Sequence, residues 1–454
     1  MISSFFPNRD LWRKILTIIL PISLQTLLMQ LDSAIDAIML GKIGQDALAS
    51  VSLAGQVQFI YGMLMSTCAT AFSIFVSQYW GKGDRHSVDK LLGMSIQACL
   101  LLSGIFFLIT ILIPEKVMLI FTDKDVFIEQ GTVYLKYIAI SYFFLALSQG
   151  LSITCRCSGH ARQLLYISCL TIPLDIIFNW LFIFGKCGVP RMEVGGAAIA
   201  TVIVRFIGLA LTYWEFRREN LFKIKLFYIT HFARSLCRHV LKYTLPILGN
   251  YACYGVGIIV ATIIMGHQDK DATAANALSR VIINASGIFF GGLGTGVSII
   301  LGNALGSGDL EKAKEFGRRL FGFALLTGTA SSLLMLCAIP FIGHFAVMTP
   351  RAEMLTAWML VVSVPSMIGK AANCVSFNAF NTGGESRISF KIDLYVVVCF
   401  MVPVSLLAAF LFKAPVILVY FLAYMDEFVK APVALGLYLR YTWLKNLTVR
   451  DKKA

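Results

Sequence analysis

The sequence predicts an all-α polytopic membrane protein, with twelve transmembrane helices in two pseudo-symmetric six-helix bundles. Three observations carry that expectation. The 454-residue chain is 57% hydrophobic and only 14% charged, with a mean hydropathy of +0.76, whereas a soluble domain is about a quarter charged and below half apolar. Its apolar runs are continuous rather than alternating, which favours helices over a barrel, and they reach the roughly 20 residues that cross a bilayer. The first half also recurs in the second at a constant offset of 225 residues, as from Gly81 to Gly306.

The first span, 14–40, holds Pro21 towards its start and Asp32 and Asp36 towards its end. It is too long for a cleaved leader and lacks a small-residue cleavage site, so it is expected to remain as a span. Spans 51–79, 91–113, 131–156, 162–185 and 195–216 follow. The fifth carries Pro173-Leu174-Asp175 and, one turn on, Asn179; the sixth carries Thr201 and Arg205. The stretch from Arg217 to Lys242 then holds seven basic residues and is the one clear composition break. It divides the chain into an N-terminal lobe (1–216), a cytoplasmic linker (217–239) and a C-terminal lobe (240–454). Spans 240–265, 274–305, 316–340, 353–380, 387–411 and 414–440 complete the second set. Six spans is an even number, so both lobes enter from the same side and form a parallel repeat.

The copies agree in their punctuation. Leu20-Pro21-Ile22 returns as Leu245-Pro246-Ile247, Asp46-Ala47 as Asp271-Ala272, Gly81-x-Gly83-Asp84 as Gly306-x-Gly308-Asp309, and Ser158-Gly159 as Gly383-Gly384. Proline inside a membrane helix needs neighbours for the freed carbonyl, so the matched prolines suggest an equivalent bend in each lobe. The copies differ where Asp32 and Asp36 become Gly257 and Ala261. Two homologous bundles in so apolar a chain point to a transporter, whose central site is opened to either side.

The net charge of +14 is not a nucleic-acid footprint. With the N-terminus placed in the cytoplasm, 26 of the 39 Lys and Arg fall on cytoplasmic segments and 8 on the opposite loops. That asymmetry places both termini in the cytoplasm and the chain in the plasma (inner) membrane. No Gly-Lys pair is followed by Ser or Thr, so there is no cradle for ATP phosphates and no ATP cofactor is expected. The six His and eleven Cys form no metal-ligand spacing, Cys155-x-Cys157 included. An integral membrane enzyme would need a dense constellation of His, Asp or Ser at one interface, and none stands out.

The intramembrane carboxylates are the chemical signal. An acid in hydrocarbon costs at least about 2.5–3.5 kcal/mol, so it persists where it is partnered, wet or functional. Asp32 and Asp36 share a helix face about 6 Å apart along the axis, where two like charges resist joint ionisation. A group that changes protonation near neutral pH is what proton coupling needs. Asp175, Asn179 and Thr201 reach a similar depth, so these oxygens are expected to meet Asp36 in one site. Their carboxylate, amide and hydroxyl groups suit Na⁺ as well as a proton. In the C-terminal lobe, Lys370, Asp426, Glu427 and Lys430 read as a charge network, Asp426 and Lys430 being spaced to pair along one helix. Arg205 and Arg280 read as snorkelling or paired side chains. The plentiful Met and aromatic residues suit a pocket for varied apolar cations.

The motifs in order resemble a known family, the multidrug and toxic compound extrusion (MATE) transporters. They are the stretch from Pro21 through Asp36 to Gly41-Lys42-Ile43-Gly44; Gln78-Tyr79-Trp80-Gly81-Lys82-Gly83-Asp84; Asn179-Trp180-Leu181-Phe182-Ile183-Phe184-Gly185; Gly195-Gly196-Ala197-Ala198-Ile199-Ala200-Thr201; Gly302-Asn303-Ala304-Leu305-Gly306-Ser307-Gly308-Asp309; Gly383-Gly384-Glu385-Ser386-Arg387; and Met425-Asp426-Glu427-Phe428 on to Trp443-Leu444-Lys445. The resemblance implies a V-shaped pair of lobes and export of organic cations and other toxic compounds against H⁺ or Na⁺, with Asp36 as the coupling residue. Family members carry Asn then Asp on the fifth helix; here the order is Asp175 then Asn179. Some carry an acid after Pro-x-x-x-Asn on the seventh helix, where this chain has Pro246, Asn250 and then Tyr251. The expected protein is a monomeric secondary exporter whose partners are small-molecule drugs and the lipid bilayer. A flippase for a lipid-linked precursor is the alternative; it needs a strongly cationic cavity, and the interior basic residues are few and offset by acids.

Overall fold

The computed structural model describes residues 7–218, 234–345 and 348–448. All twelve expected apolar stretches are helical, and there is no strand among the described residues. Ten helices are long and apolar enough to cross a membrane, and eleven if one bent pair counts as a single span. That pair is Asp125–Ile138 with Ser141–Cys157, bent by 47° within the expected fourth span. The expected eighth span is divided into Lys270–Ser286 and Phe289–Gly306. The expected twelfth is divided into Val416–Tyr424 and Asp426–Tyr438. Of the expected linker, residues 219–233 lie outside the described residues.

The chain forms two compact units. One runs from Leu24 to Val240; the other joins the residues up to Ser23 with those from Leu241 onward.

In the first unit, the second half of Arg9–Gly41 is followed by Gln45–Lys82, Arg85–Leu112, the bent pair, Ala161–Phe184 and Glu193–Arg218. Its core is an apolar cluster built on Tyr61, Leu135, Ile138, Tyr142 and Ala146. Beside the bend, the Tyr142 carbonyl accepts hydrogen bonds from the Tyr61 hydroxyl (3.0 Å) and the Ser103 hydroxyl (3.1 Å). Gly196 lets Glu193–Arg218 approach the backbone of its neighbour: a Cβ there would lie 2.6 Å from the Phe182 carbonyl. Small residues at such crossings are how membrane helices gain packing without a hydrophobic driving force.

In the second unit the same device seats the start of the chain. Cβ atoms at Gly292 and Gly296 would lie 2.0 Å from Ser23 and 2.4 Å from Ile19, so glycine alone admits the first helix there. That helix contains a π-helical turn, Ile15–Ile19, in which the Leu20 N–H bonds the Ile15 carbonyl five residues back. Pro21 supplies the physical reason: it has no N–H to continue the α-helical ladder, and the wider turn takes up the mismatch. Pro246 lies inside the α-helix Arg234–Gly266 without such a turn.

The repeated punctuation is structural. Gly83 and Gly308 end their helices with φ of 79° and 82°, and Gly159 and Gly384 adopt 90° and 80°, values that L side chains resist. The next residues, Asp84 and Asp309, cap the following helices, accepting from the Ser87 N–H at 3.0 Å and the Lys312 N–H at 2.9 Å. An N-cap acid satisfies one of the four orphan donors at a helix start.

Candidate functional site

Ala161–Phe184 carries Pro173 in its interior and brings Asp175 and Asn179 onto one face, four residues apart. Both are buried, at 3% and 1% exposure. Opposite them, the second half of the first helix presents Asp32 and Asp36. One carboxylate oxygen from each of Asp32, Asp36 and Asp175 lies within 4.8 Å of the other two. The Asn179 side-chain amide binds the cluster together: its Nδ2 donates to Asp36 at 2.7 Å and to Asp175 at 2.8 Å. Asp32 Oδ1 and Asn179 Oδ1 are buried without a hydrogen-bond partner. An orphaned buried acceptor costs about 1–3 kcal/mol. A site with two such oxygens beside three carboxylates is poised for a proton or a hard cation.

The structure therefore brings together four of the five residues expected there. The fifth, Thr201, donates its hydroxyl to the Ala197 carbonyl at 3.0 Å, one turn back in its own helix.

Arg205 is one turn further along that helix. It was expected to snorkel or pair, but among the described residues it meets no carboxylate at ion-pair distance. Its guanidinium donates to Ser141 Oγ at 2.7 Å and to Gln58 Oε1 at 3.3 Å, and Gln58 Nε2 donates to Tyr134 at 2.9 Å. Held by neutral groups, it lends a positive field to all three carboxylates.

The C-terminal charges divide differently from the expected foursome. Buried Lys430 pairs with Asp426 and with Asp393, both at 2.8 Å. Asp393 was not among the expected site residues. Asn250 donates to its second oxygen, and Asn373 Nδ2 donates to the Glu427 carboxylate at 2.8 Å. Lys370 stands apart, with no acid at ion-pair distance among the described residues; it lines a neighbouring pocket with Asp426 and Glu427.

The 225-residue offset organises these contacts as well. Gln25 donates to Ser168 at 3.0 Å, and the equivalent positions are Asn250 and Asp393. Lys430 occupies the position equivalent to Arg205. The two equivalent positions both hold a basic residue, but Lys430 forms ion pairs with Asp393 and Asp426, whereas Arg205 is held by neutral groups.

A family model described as MatE matches residues 21–181 and 246–411. The chain is 22% identical over 395 residues to the uncharacterized transporter YisQ of Bacillus subtilis, covering 86% of this chain and 85% of that one. It is 27% identical over 332 residues to the probable multidrug resistance protein NorM of Mesorhizobium japonicum (69% and 68% covered). It is 23% identical over 391 residues to the multidrug resistance protein PmpM of Pseudomonas aeruginosa (84% and 81% covered). Among solved structures, the Vibrio cholerae MATE transporter VcmN in its bent form superposes with a TM-score of 0.86 at 16% identity, covering 96% of this chain and 98% of that one. A MOP superfamily transporter from Pyrococcus furiosus gives 0.83 at 17% identity, covering 94% and 95%.

Proposed function

The chain belongs to the MatE family of multidrug efflux transporters, and we propose that it is a secondary active exporter driven by inward flow of a cation through the Asp32–Asp36–Asp175 cluster. The carrying observation is the meeting of three carboxylates within 4.8 Å in a segment expected to lie in the membrane. Three negative charges that close do not coexist without a proton or a metal ion among them. Occupancy of the cluster is therefore coupled to the state of the unit that holds it, and linkage makes the coupling reciprocal: a conformation that binds the ion better is favoured by the ion.

The orientation of Asn179 favours H⁺ over Na⁺. Its amide N–H group, rather than its carbonyl, faces both Asp36 and Asp175, which suits carboxylates that exchange protons. Asp36 is assigned the exchanging role, Asp175 and Asp32 share its charge, and Asn179 holds the geometry. The exported compounds would be organic cations of the kind that multidrug resistance proteins remove.

The test is ethidium efflux from proteoliposomes under an imposed pH gradient and, separately, an imposed Na⁺ gradient. The pH gradient should drive efflux and the Na⁺ gradient should not. Asp36→Asn should abolish driven efflux while leaving the protein folded. Undiminished transport by that variant would end the assignment, and Na⁺-driven efflux would change the ion.

A further inference from the structure

A cavity of about 330 Å³ lies within the second unit, between the first helix and the helix Leu310–Cys337. That is within the roughly 300–1,000 Å³ of small-molecule sites. Trp12, Leu16 and Leu20 form one wall, and Phe323, Ala330 and Leu334 the other. No charged side chain lines it. Of its few hydroxyls, those of Ser23 and Thr327 are already engaged, donating to the Phe289 and Ala324 carbonyls at 3.4 and 2.8 Å. Leu16, Leu20 and Leu334 remain exposed, so no other part of the described chain covers them.

The groove is as long as one leaflet is deep. From Trp12 to Ser23, and again from Phe323 to Leu334, is eleven residues, about 16 Å at 1.5 Å per residue. Half of the hydrocarbon core is about 15 Å. Trp12 marks one end and meets Phe323 edge-on, 5.7 Å between ring centroids; tryptophan is a residue that gathers at headgroup level. Beyond it the chain turns basic. The two helix starts, 9–14 and 309–319, hold seven basic side chains and four acids. Glu315 is paired with Arg319 at 2.8 Å, and Asp10 acts on Lys14 one turn on. Arg9 and Arg13 are exposed, and among the described residues neither has a carboxylate at ion-pair distance. Their spacing puts them on the helix face of Leu16 and Leu20.

We propose that this groove holds one acyl chain of an anionic phospholipid, with the phosphate on Arg9 and Arg13. Arginine offers the planar fork that fits a phosphate with two parallel hydrogen bonds. A transported drug or a second copy of the chain would use the apolar walls, but neither accounts for a leaflet's length ending in a basic mouth. Leu16 and Ile19 of the wall belong to the π-helical turn, so a seated chain braces the first helix where its ladder is broken. The binding is independent of the ion-coupling assignment.

The experiment is retention of dioleoyl phosphatidylglycerol and of dioleoyl phosphatidylcholine by the purified full-length protein in detergent, counted by native mass spectrometry over a lipid titration. Phosphatidylglycerol should bind at least about fivefold more tightly, the factor that one arginine beside an anionic headgroup carries. The double variant Arg9→Gln, Arg13→Gln should bind both lipids alike, at the wild-type phosphatidylcholine affinity. Ala330→Phe, which puts a ring into the groove, should lose the tight site for both. The two arginines are exposed, so their arm decides the matter if Ala330→Phe does not fold. Asp36→Asn should keep the wild-type preference, which separates this site from the coupling cluster. Equal affinities in the wild type, or a preference that survives either groove variant, overturn the proposal. So do displacement of phosphatidylglycerol by ethidium and a dimer that Ala330→Phe dissolves, which give the groove to a drug or to a second copy.

Discussion

Asp32→Asn is the most demanding perturbation of the carboxylate cluster, because it removes a charge and keeps the shape. The three carboxylates make three repulsive pairs. At 4.8 Å and an effective dielectric constant near 20, each pair repels by about 3.5 kcal/mol. Removing Asp32 deletes two of the three, about 7 kcal/mol before further screening; water around this half-buried side chain screens part of it, leaving about 2–4 kcal/mol. The sign comes from charge. With all three groups ionised the wild type is strained, and a bound proton relieves it, so acidification stabilises the native state. Asp32→Asn is relieved in advance. The assay is thermal unfolding of the purified protein from mildly alkaline to mildly acidic buffer, with and without Na⁺. The variant should unfold at a higher temperature than the wild type in alkaline buffer, and its gain on acidification should be less than half that of the wild type. Equal pH responses in the two proteins would refute the three-charge account.

Three further outcomes are expected. Lys430→Met strands Asp393 and Asp426 without their shared cation, and breaking a buried pair in this way costs about 3–5 kcal/mol; a loss below about 1 kcal/mol in thermal unfolding would contradict the pairing. Gly383→Ala would place a Cβ 1.9 Å from the Trp443 carbonyl, so the folded yield should collapse, whereas Gly41→Ala meets only Leu48 at 3.7 Å and should be silent; equal yields would refute the packing argument. Burial pushes the Asp84 carboxyl up, but its two bonds to Ser87, with Lys82 and His86 nearby, outweigh burial and hold it below the usual range. Such a cap contributes about 1 kcal/mol at neutral pH, and this is lost as pH falls through the depressed value. Asp84→Ala should therefore unfold earlier than the wild type at neutral pH and converge on it in acid, and a gap that persists in acid would deny the charged cap.

Local signals were the legible part of the fold. The repeated Gly83-Asp84 and Gly308-Asp309 stood out as punctuation, and each forms a left-handed turn followed by a helix cap. Asp32, Asp36, Asp175 and Asn179 were conspicuous because polar groups are costly in an apolar run, and the structure places them together. The details that escaped depend on distant partners. Asp393 lies close to Arg387 and Lys391, at the charged start of an expected span, and its cation, Lys430, is on a different helix. The repeat could have exposed it, since Gln25 and Ser168 occupy the positions equivalent to Asn250 and Asp393 and also bond. The break in the expected twelfth span is likewise tertiary. The Tyr424 and Glu427 carbonyls accept from Ser366 at 3.0 Å and from Asn373 at 2.8 Å, and Gly369 leaves room for the Glu427 backbone. Nothing within 414–440 itself predicts that another helix will satisfy those groups.

The unit that joins the residues up to Ser23 with those from Leu241 onward has a consequence for biogenesis. Asn8 donates to Glu315 at 3.3 Å, and Ser23 rests on Gly292 and donates to the Phe289 carbonyl at 3.4 Å. Translation proceeds at about 5–20 residues per second, so the first helix emerges roughly 15–60 s before these partners exist. Leu11 is wholly enclosed in the finished protein. The closing piece arrives later still: Trp443, also wholly enclosed, fills the space opened by Gly317 and Gly383. Leu24–Val240 has all its residues before the ribosome reaches the second set of helices, whereas the residues up to Ser23 must wait for those from Leu241 onward.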